Sequence, residues 1–220
     1  MKLFQNEACV VINKNPGESS EFPEVEAEGG KFPVPVHRLD MPVSGCLLLA
    51  RTPEAAAYLN AAFANHEGGL VEKRYWAIVE NPAPDVLAAG GDLVHWLSFN
   101  PKKNKSFAHD EVAPGRKKAV LRYRIAGQGK NYLFLEIDLV TGRHHQIRAQ
   151  LAAKGLHIKG DLKYGARRSE KTGGIRLHAY SLVFPNPLNP DEKIEVKALP
   201  PVMDPLWTAF AATFVETMDS

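Results

Sequence analysis

The sequence predicts an α+β protein, and three local patterns support this prediction. Residues 119–125 and 132–140 alternate apolar and polar side chains on either side of the turn at 127–129, which is typical of a half-buried antiparallel hairpin. The run 46–50 is apolar and has the length of a strand. Residues 52–54 supply an N-cap threonine, a proline at the first helical position and a first-turn acid. Hairpin strands combined with separate helices indicate this fold class.

The remaining elements follow from similar signals. Gly68-Gly69 is expected to end the first helix, and Gly155 to cap a second one. Irregular chain is expected over 85–118, with an exposed basic loop at 100–105. The other predicted elements are strands at 8–12, 74–80, 177–184 and 194–197, and helices at 143–154 and after Asp204-Pro205.

No internal repeat, low-complexity tract or linker divides the chain. We therefore expect one catalytic domain over 1–220, in which residues 1–30 form an acidic N-terminal strand and loop. The hydrophobic content of 45% and the charged content of 24% are ordinary for a globular protein. The two cysteines form no metal-type spacing, and no signal peptide or long apolar run is visible. These features predict a cytoplasmic protein that does not enter membranes.

The charge is unevenly distributed, although the net charge is only +2. Residues 1–30 carry a net charge of −4, whereas 102–124 carry +6 and 143–176 carry +7. Two basic segments on a nearly neutral protein indicate a basic face, which suits a polyanion such as nucleic acid. For either segment alone, a solvated lysine surface is the simpler interpretation.

The stretch 37–45 is the strongest candidate for a functional loop. Arg38 and Asp40 lie two residues apart, and Pro42 and Gly45 mark a turn before the apolar run. A basic and an acidic group are thus held on a loop at the mouth of a buried strand, where chemistry is often found. Asp40 is the candidate catalytic carboxylate. The alternative is a turn-capping aspartate paired with the arginine.

Taken with later motifs in the same order, this stretch resembles the RluA-type pseudouridine synthases. The resemblance covers roughly residues 8–200. The matching segments are Asn13-Lys14-Asn15-Pro16-Gly17, His37-Arg38-Leu39-Asp40 with Ser44-Gly45, Lys73 to Val79, Thr141-Gly142-Arg143-His144-His145-Gln146-Ile147-Arg148, Gly160 to Gly165, and Leu177-His178-Ala179.

The resemblance implies a mixed, largely antiparallel sheet flanked by helices and loops, with an RNA-binding cleft. It also implies the isomerisation of uridine in RNA to pseudouridine, without cofactor or metal. Only about 30 residues precede the catalytic motif, so the family's N-terminal S4 domain is expected to be absent. Val43 stands where the family usually has threonine, which removes a hydroxyl but no charge.

The resemblance also implies the catalytic residues. Asp40 would act by attack on the sugar, by attack on the base or by proton abstraction, and the sequence does not choose among these. Arg143 would supply the cation that keeps this carboxylate ionised, through a salt bridge. Tyr75 would stack on the target uracil and serve in the final proton removal. Without the motif, a tyrosine on a half-buried strand is usually a core residue.

A second group of residues is expected to bind RNA or to shape its cleft. Arg38 would contact the RNA backbone or fill the gap left by the flipped nucleotide, and Leu177 would pack against the base. His144 and His145 are expected to point in different directions on a helix, which argues against a metal site. The expected RNA-binding set is His37, Arg38, His145, Gln146, Arg148 and Leu177.

The expected partner is structured RNA, either ribosomal or transfer RNA, and the expected state is a monomer. The main alternative is a non-catalytic RNA-binding module that kept the fold. A hydrolase is disfavoured because no Gly-x-Ser-x-Gly elbow, phosphate-binding loop or metal-binding carboxylate pattern is present. A protein-interaction domain is disfavoured by the two basic segments.

Overall fold

The computed structural model describes residues 1–21, 33–65, 69–80, 88–171 and 173–215, with side chains through Thr213. The predicted acidic loop therefore falls partly outside the described residues. Two compact units are present: Met1–Arg74 with His178–Pro201, and Tyr75–Leu177 with Val202–Ser220. The expectation of a single catalytic domain stays a prediction. None of the described helices is long and apolar enough to cross a membrane.

The described residues contain strands, three α-helices and one short 3-10 helix at Leu162–Tyr164. In chain order the α-helices and strands are β1 (Lys2–Gln5), β2 (Cys9–Lys14), β3 (Val34–Pro35), β4 (Ser44–Ala50), α1 (Pro53–Ala64), β5 (Glu72–Glu80), β6 (Gly90–Asn100), β7 (Lys105–His109), β8 (Lys117–Gln128), β9 (Tyr132–Leu139), α2 (Gln146–Ala153), β10 (Leu177–Asn186), β11 (Asn189–Lys197) and α3 (Pro205–Val215).

The first unit contains a mixed sheet. Its strand order is β1-β2-β4-β10, with β3 on β4 and β11 on β10. The β4–β10 pair is parallel and the other pairs are antiparallel. Strands β2 and β4 are buried along their whole length. Their apolar side chains pack with α1 in one core that includes Val11, Leu48, Leu59 and Phe184.

Helix α1 confirms the predicted start signal. The Thr52 hydroxyl accepts a hydrogen bond from the Ala55 N–H at 3.1 Å, which satisfies an amide that has no partner within the helix. The predicted end is wrong, because the helix stops at Ala64. The Asn65 amide still donates to the Ala61 carbonyl, but the backbone of Asn65 is no longer helical.

The second unit confirms the predicted hairpin of β8 and β9, which pair antiparallel. The strand order is β5-β9-β8-β6-β7. The expectation that β9 is half-buried is wrong, since Phe134 and Glu136 are buried on the face opposite Leu135. Phe134 packs against Phe210 of α3, and Glu136 pairs with Arg124 at 2.8 Å. One strand thus contributes side chains to two buried layers.

The expectation of irregular chain over 85–118 is wrong for most of its described part. Strands β6 and β7 form an antiparallel hairpin, with Trp96 opposite His109 and Asn100 opposite Lys105. Leu93, His95 and Leu97 point inward at a period of two. Buried His95 disguised this alternation in the sequence. The turn 101–104 between the strands is exposed, as predicted.

Taken together, the strands and helices confirm the α+β prediction and its largely antiparallel pairing. Gly45 fixes the single parallel contact of the first unit. It pairs with Ala179, has φ of +118°, and a Cβ built on it would lie 2.3 Å from the Ala179 carbonyl oxygen. Only glycine allows β4 and β10 to approach so closely.

We expect Gly45→Ala to lower the free energy of unfolding by about 2–5 kcal/mol, because backbone strain adds to an overlap with β10. The matched control is Gly17→Ala, at φ +88° with nothing within 4 Å of the added Cβ. It should cost only about 1–2 kcal/mol. Urea unfolding of both variants measures the difference, and equal losses would contradict the close-approach explanation.

Candidate active site

Asp40 lies in a tight turn that leads directly into β4. The Val43 amide donates to the Asp40 carbonyl at 2.9 Å, and β4 begins at the next residue, Ser44. The preceding residue, Leu39, is buried and fixed on both sides by one hydroxyl. Ser20 Oγ donates to the Leu39 carbonyl at 2.9 Å and accepts from the Leu39 amide at 3.0 Å. The backbone that carries the Asp40 carboxylate is therefore held from both directions.

Lys14 holds the same turn through hydrogen bonds to backbone carbonyls. Its ammonium is fully buried and donates to the carbonyls of Asn15, Glu18 and Met41 at 2.8, 2.9 and 3.2 Å. Burial lowers the pKa of Lys14 to about 8, against the opposing effect of the Glu18 and Asp40 carboxylates. A buried charge is tolerated when its donors are satisfied, and here three acceptors belong to two loops. Lys14 thereby ties the 15–18 turn to the Asp40 turn.

His37 and Arg38, which precede Leu39, differ strongly in their exposure and contacts. Arg38 is 75% exposed and lies 3.7 Å from Glu21, an exposed pair that is worth little. The His37 ring stacks on Phe63 with centroids 4.9 Å apart, and its Nε2 accepts from the Leu48 amide at 3.0 Å. Burial and the nearby Lys73 charge lower the pKa of His37 to about 3. Arg38 is available to a ligand, whereas His37 holds the loop on β4.

His178 and Ser44 join β4 to β10 through a buried pair that the sequence analysis did not single out. His178 Nδ1 accepts from the Ser44 hydroxyl at 2.8 Å, and Nε2–H donates to the Ala198 carbonyl at 2.8 Å. Burial lowers the pKa of His178 to about 4. The signal was present, since His178 follows Leu177 in a matched motif.

Tyr75 and Leu177, which are expected to contact the target uracil, lie in the second unit. Tyr75 is on β5 and Leu177 is the first residue of β10. They are 8% and 3% exposed. The Ile78 amide of β5 donates to the Arg176 carbonyl at 2.9 Å, so the chain before Leu177 is anchored to the strand that carries Tyr75.

Arg143 lies on a segment that continues alongside β8. The Thr141 amide donates to the Val120 carbonyl at 3.1 Å, and Arg143 Nε donates to the Lys118 carbonyl at 3.2 Å. The Gln146 side chain fixes this segment, because Oε1 accepts from the Thr141 hydroxyl at 2.7 Å and from the Arg143 amide at 3.0 Å. Gln146 Nε2 donates to the Val120 carbonyl at 3.1 Å. Gln146 is therefore a positioning residue for Arg143.

The predicted start of the second helix at Arg143 is wrong, because α2 begins at Gln146. His145 precedes it in the left-handed region, at φ +51°. The expectation that His144 and His145 point in different directions is also wrong, since their rings stack with centroids 3.8 Å apart. The C-terminal prediction is confirmed. Gly155 has φ of +72°, and the Leu156 amide donates to the Leu151 carbonyl in a Schellman arrangement.

His145 is buried against Tyr164 of the 3-10 helix. Its Nδ1 lies 3.1 Å from the Tyr164 hydroxyl. Burial and the nearby Arg148 charge lower the pKa of His145 to about 3, so this imidazole is neutral at physiological pH. Among the described residues, no group of three or more His, Cys, Asp or Glu could hold a metal ion.

Arg148 forms a buried, two-pronged ion pair with Asp161. Nε and Nη2 donate to the two carboxylate oxygens at 2.6 and 2.8 Å, and the side chains are 5% and 2% exposed. The guanidinium also lies 4.9 Å from the centre of the Tyr164 ring. The expected role of Arg148 in RNA contact stays a prediction, but these contacts make it a brace between α2 and the 160–165 segment.

Sequence reasoning missed a second buried ion network in this unit. Glu170 accepts from Arg176 Nε at 2.6 Å and from Lys159 Nζ at 2.5 Å, and Arg176 also donates to Asp204. Both cations lower the pKa of Glu170, against the opposing effect of burial. No motif or spacing marks these residues, because they are separated by loops that only the fold brings together.

The comparison with protein families gives one match, to RNA pseudouridylate synthase, over residues 8–153. An RNA pseudouridine synthase of Zymomonas mobilis is 37% identical over 69% of this chain and 67% of its own length. Ribosomal large subunit pseudouridine synthase D of the same organism is 33% identical over 70% of this chain and 49% of its own length. Among solved structures, human RNA Pseudouridylate Synthase Domain Containing 1 superposes with a TM-score of 0.72 at 21% identity, covering 100% and 94% of the two chains.

The match over residues 8–153 identifies an RNA-modifying isomerase, and the chain belongs to the RNA pseudouridylate synthase family. The resemblance drawn from the motifs is confirmed at that level, and so is the expected fold. The chain spans about two thirds of one relative and about half of the other. The roles of individual residues are not tested by these matches.

The buried His178 predicts a specific loss of stability in acid. Because its pKa in the folded protein is about 4, below the ordinary 6.5, the unfolded chain takes up the proton first as the pH falls. The stability that neutral His178 contributes is complete above pH 6.5 and is lost between pH 6.5 and 4, by up to about 1.4 kcal/mol per pH unit.

We expect His178→Asn to remove this part of the pH dependence, as measured by urea unfolding between pH 7 and 4. Ser44→Ala is the control, because it removes the hydroxyl but keeps the titrating imidazole, and it should retain the wild-type slope. Parallel curves for wild type and His178→Asn would contradict the assignment.

Removing one partner of the Arg148–Asp161 pair should be strongly destabilising. We expect Asp161→Asn to lower the free energy of unfolding by about 3–5 kcal/mol, because it leaves a buried guanidinium without its counter-charge. Asp92→Asn is the control. Asp92 pairs with Arg122 at 3.5 Å with side chains 51% and 67% exposed, and its loss should cost less than about 1 kcal/mol. Similar losses would contradict the buried-pair interpretation.

Proposed function

We propose that this protein isomerises specific uridines in ribosomal RNA to pseudouridine, with Asp40 as the catalytic carboxylate. The observation that carries the proposal is the Asp40 turn, which buried Lys14 and Ser20 hold rigid while Asp40 itself remains partly exposed. Family membership supports the reaction, and several relatives named ribosomal large subunit pseudouridine synthase C or D favour ribosomal over transfer RNA. The particular uridine is left to experiment.

The reaction requires that the bond from uracil N1 to ribose C1′ breaks, that the base turns, and that a bond from C5 to C1′ forms. The C5 proton is then lost and N1 gains a proton, so atoms and electrons balance without an external oxidant or reductant. The proposed absence of a cofactor rests on this balance. A carboxylate held at one position can act on the sugar or the base, and the fixed turn holds Asp40 in this way.

Tyr75 is proposed to stack on the target uracil. Stacking on an aromatic ring contributes about 1–3 kcal/mol per base. Flipping a base from its stack costs a few kcal/mol, and less in loops. Because the two terms are similar, one ring can hold the flipped base without trapping the product.

Arg143 is proposed as the cation of the reaction centre. Its planar, permanently charged fork suits a carboxylate. The Gln146 side chain accepts from the Arg143 backbone amide, and the Lys118 carbonyl accepts from Arg143 Nε. Among the described residues no hydrogen bond engages the Nη groups, which are proposed to bind a ligand. Arg38 is proposed to contact the RNA backbone, and Leu177 to pack on the base. His37 is proposed to hold the loop that carries Arg38, and His145 and Arg148 to hold the segment that follows Arg143.

The protein is further proposed to be a cytoplasmic monomer and to need no metal ion for this reaction. Chelator-treated protein should retain its activity. The competing function is a non-catalytic RNA-binding module, which would bind RNA through the same basic segments.

We expect Asp40→Asn to lower the rate of pseudouridine formation on the order of 1,000-fold or more, because it removes the reacting group but preserves the shape of the turn. The measurement is tritium release from ribosomal RNA transcripts that carry uridine labelled at C5, since the reaction expels that hydrogen. RNA affinity, measured by filter binding, should not change.

Asp92→Asn, at an exposed position of β6, is the control for loss of one carboxylate and should release tritium at the wild-type rate. Full turnover by Asp40→Asn would contradict the assignment of Asp40 as the catalytic carboxylate. Tight RNA binding by wild type with no tritium release from any ribosomal or transfer RNA would favour the binding module.

A further inference from the structure

The tip of the β6–β7 hairpin is locked to the 3-10 helix by two reciprocal hydrogen bonds. Lys105 Nζ donates to the Lys163 carbonyl at 2.5 Å, and Lys163 Nζ donates to the Asn104 carbonyl at 3.1 Å. Lys102 and Lys103 lie exposed on the turn between the strands. These four lysines form one group, which we call the lysine cluster: Lys102, Lys103, Lys105 and Lys163.

The lysine cluster concentrates positive charge without compensation. In the part of the chain that the structure describes, none of the four forms an ion pair with a carboxylate. The nearest acid in sequence, Asp161, is already committed to Arg148. Exposed positive charges that have no carboxylate partner favour the binding of a polyanion.

An exposed aromatic ring, Phe99, precedes Lys102 of the lysine cluster by three residues in sequence. Phe99 is 52% exposed, although it is one residue from the end of β6. Its ring meets His144 at a centroid distance of 4.5 Å in an edge-to-face contact. His144 is fixed in turn by Ser106 Oγ at 2.9 Å and directly follows Arg143 in sequence. The exposed Phe99 ring thus packs on His144, which Ser106 of β7 holds in place and which is the neighbour of Arg143 in sequence.

Resting on the proposed function, we propose that the lysine cluster and Phe99 form an accessory site for a single-stranded segment of the substrate RNA. The lysines neutralise phosphates of the strand that flanks the target uridine, and Phe99 stacks on one flanking base. Basic side chains beside an exposed ring are how proteins grip unpaired nucleic acid. A duplex does not fit this site, because its base faces are covered by neighbouring bases.

Salt dependence of RNA binding tests the lysine cluster. The probe is a fluorescent 12-nucleotide oligouridine, and anisotropy gives its affinity over a range of salt concentrations. Each lost phosphate contact should reduce the slope of log affinity against log salt by about 0.7 for single strands. We expect K102Q with K103Q to reduce it by about 1.4.

The matched control is K2Q with K130Q, which removes the same charge from exposed positions on β1 and on the β8–β9 turn. This variant should keep the wild-type slope. An equal reduction in both double variants would show that only net charge matters, and would overturn the site.

Phe99 is tested separately from charge. Phe99→Leu should weaken oligouridine binding about 5- to 150-fold without changing the salt slope, because it removes a stacking surface but no cation. Tyr132→Leu is the control. Tyr132 is a half-buried ring at the start of β9, beside the β8–β9 turn, whereas the end of β6 near Phe99 pairs with the other end of β8, at Lys117. Equal losses, or no loss for Phe99→Leu, would contradict the stacking role.

A hairpin-free RNA duplex of 12 base pairs decides the kind of RNA. Binding as tight as that of oligouridine, with the same dependence on Lys102 and Lys103, would overturn the single-strand assignment. The measurements can be repeated in the Asp40→Asn background, where no turnover occurs. If the site binds as described but wild type never forms pseudouridine, the proposed function fails alone. If pseudouridine forms and the lysine and Phe99 variants bind normally, only the accessory site fails.

Discussion

The burial of one ammonium group is the constraint on which the Asp40 turn depends. Lys14 has no exposed surface and satisfies its charge with three backbone carbonyls. Desolvating such an ion costs several kcal/mol, so the fold is stable only when the carbonyls of Asn15, Glu18 and Met41 converge on it. That convergence fixes the turn that carries Asp40. Rigidity at the proposed catalytic carboxylate is thus a consequence of a buried charge that must be satisfied.

In the second unit, buried polar side chains also fix the segments that carry candidate residues, but through an amide and an ion pair. The Gln146 amide binds the Arg143 segment to β8, and the Arg148–Asp161 pair binds α2 to the 160–165 segment. Several residues that the motifs mark as functional therefore act as supports, and Arg38 is the exposed exception. Residues of these motifs thus include buried supports and exposed groups, and only the structure separates the two.

The fold was predictable where local signals agree. Thr52, Pro53 and Glu54 predict α1 because capping is a local interaction, and the β8–β9 hairpin follows from its alternation. The β6–β7 hairpin was missed because buried His95 breaks the apolar pattern. In the site, motif order identified the family and its candidate residues. The sequence could not reveal the burial of Lys14, the stacking of His144 on His145 or the Glu170 network, which all depend on tertiary contacts.

The most direct test of the central claim is pseudouridine mapping of total RNA from cells with and without this gene, by carbodiimide labelling and reverse-transcription stops. The account predicts that stops disappear at one or a few ribosomal uridines in the deletion strain. Wild type should restore them and Asp40→Asn should not. Unchanged stops at every position, with the gene expressed in the parent strain, would contradict the claim that this protein modifies RNA in the cell.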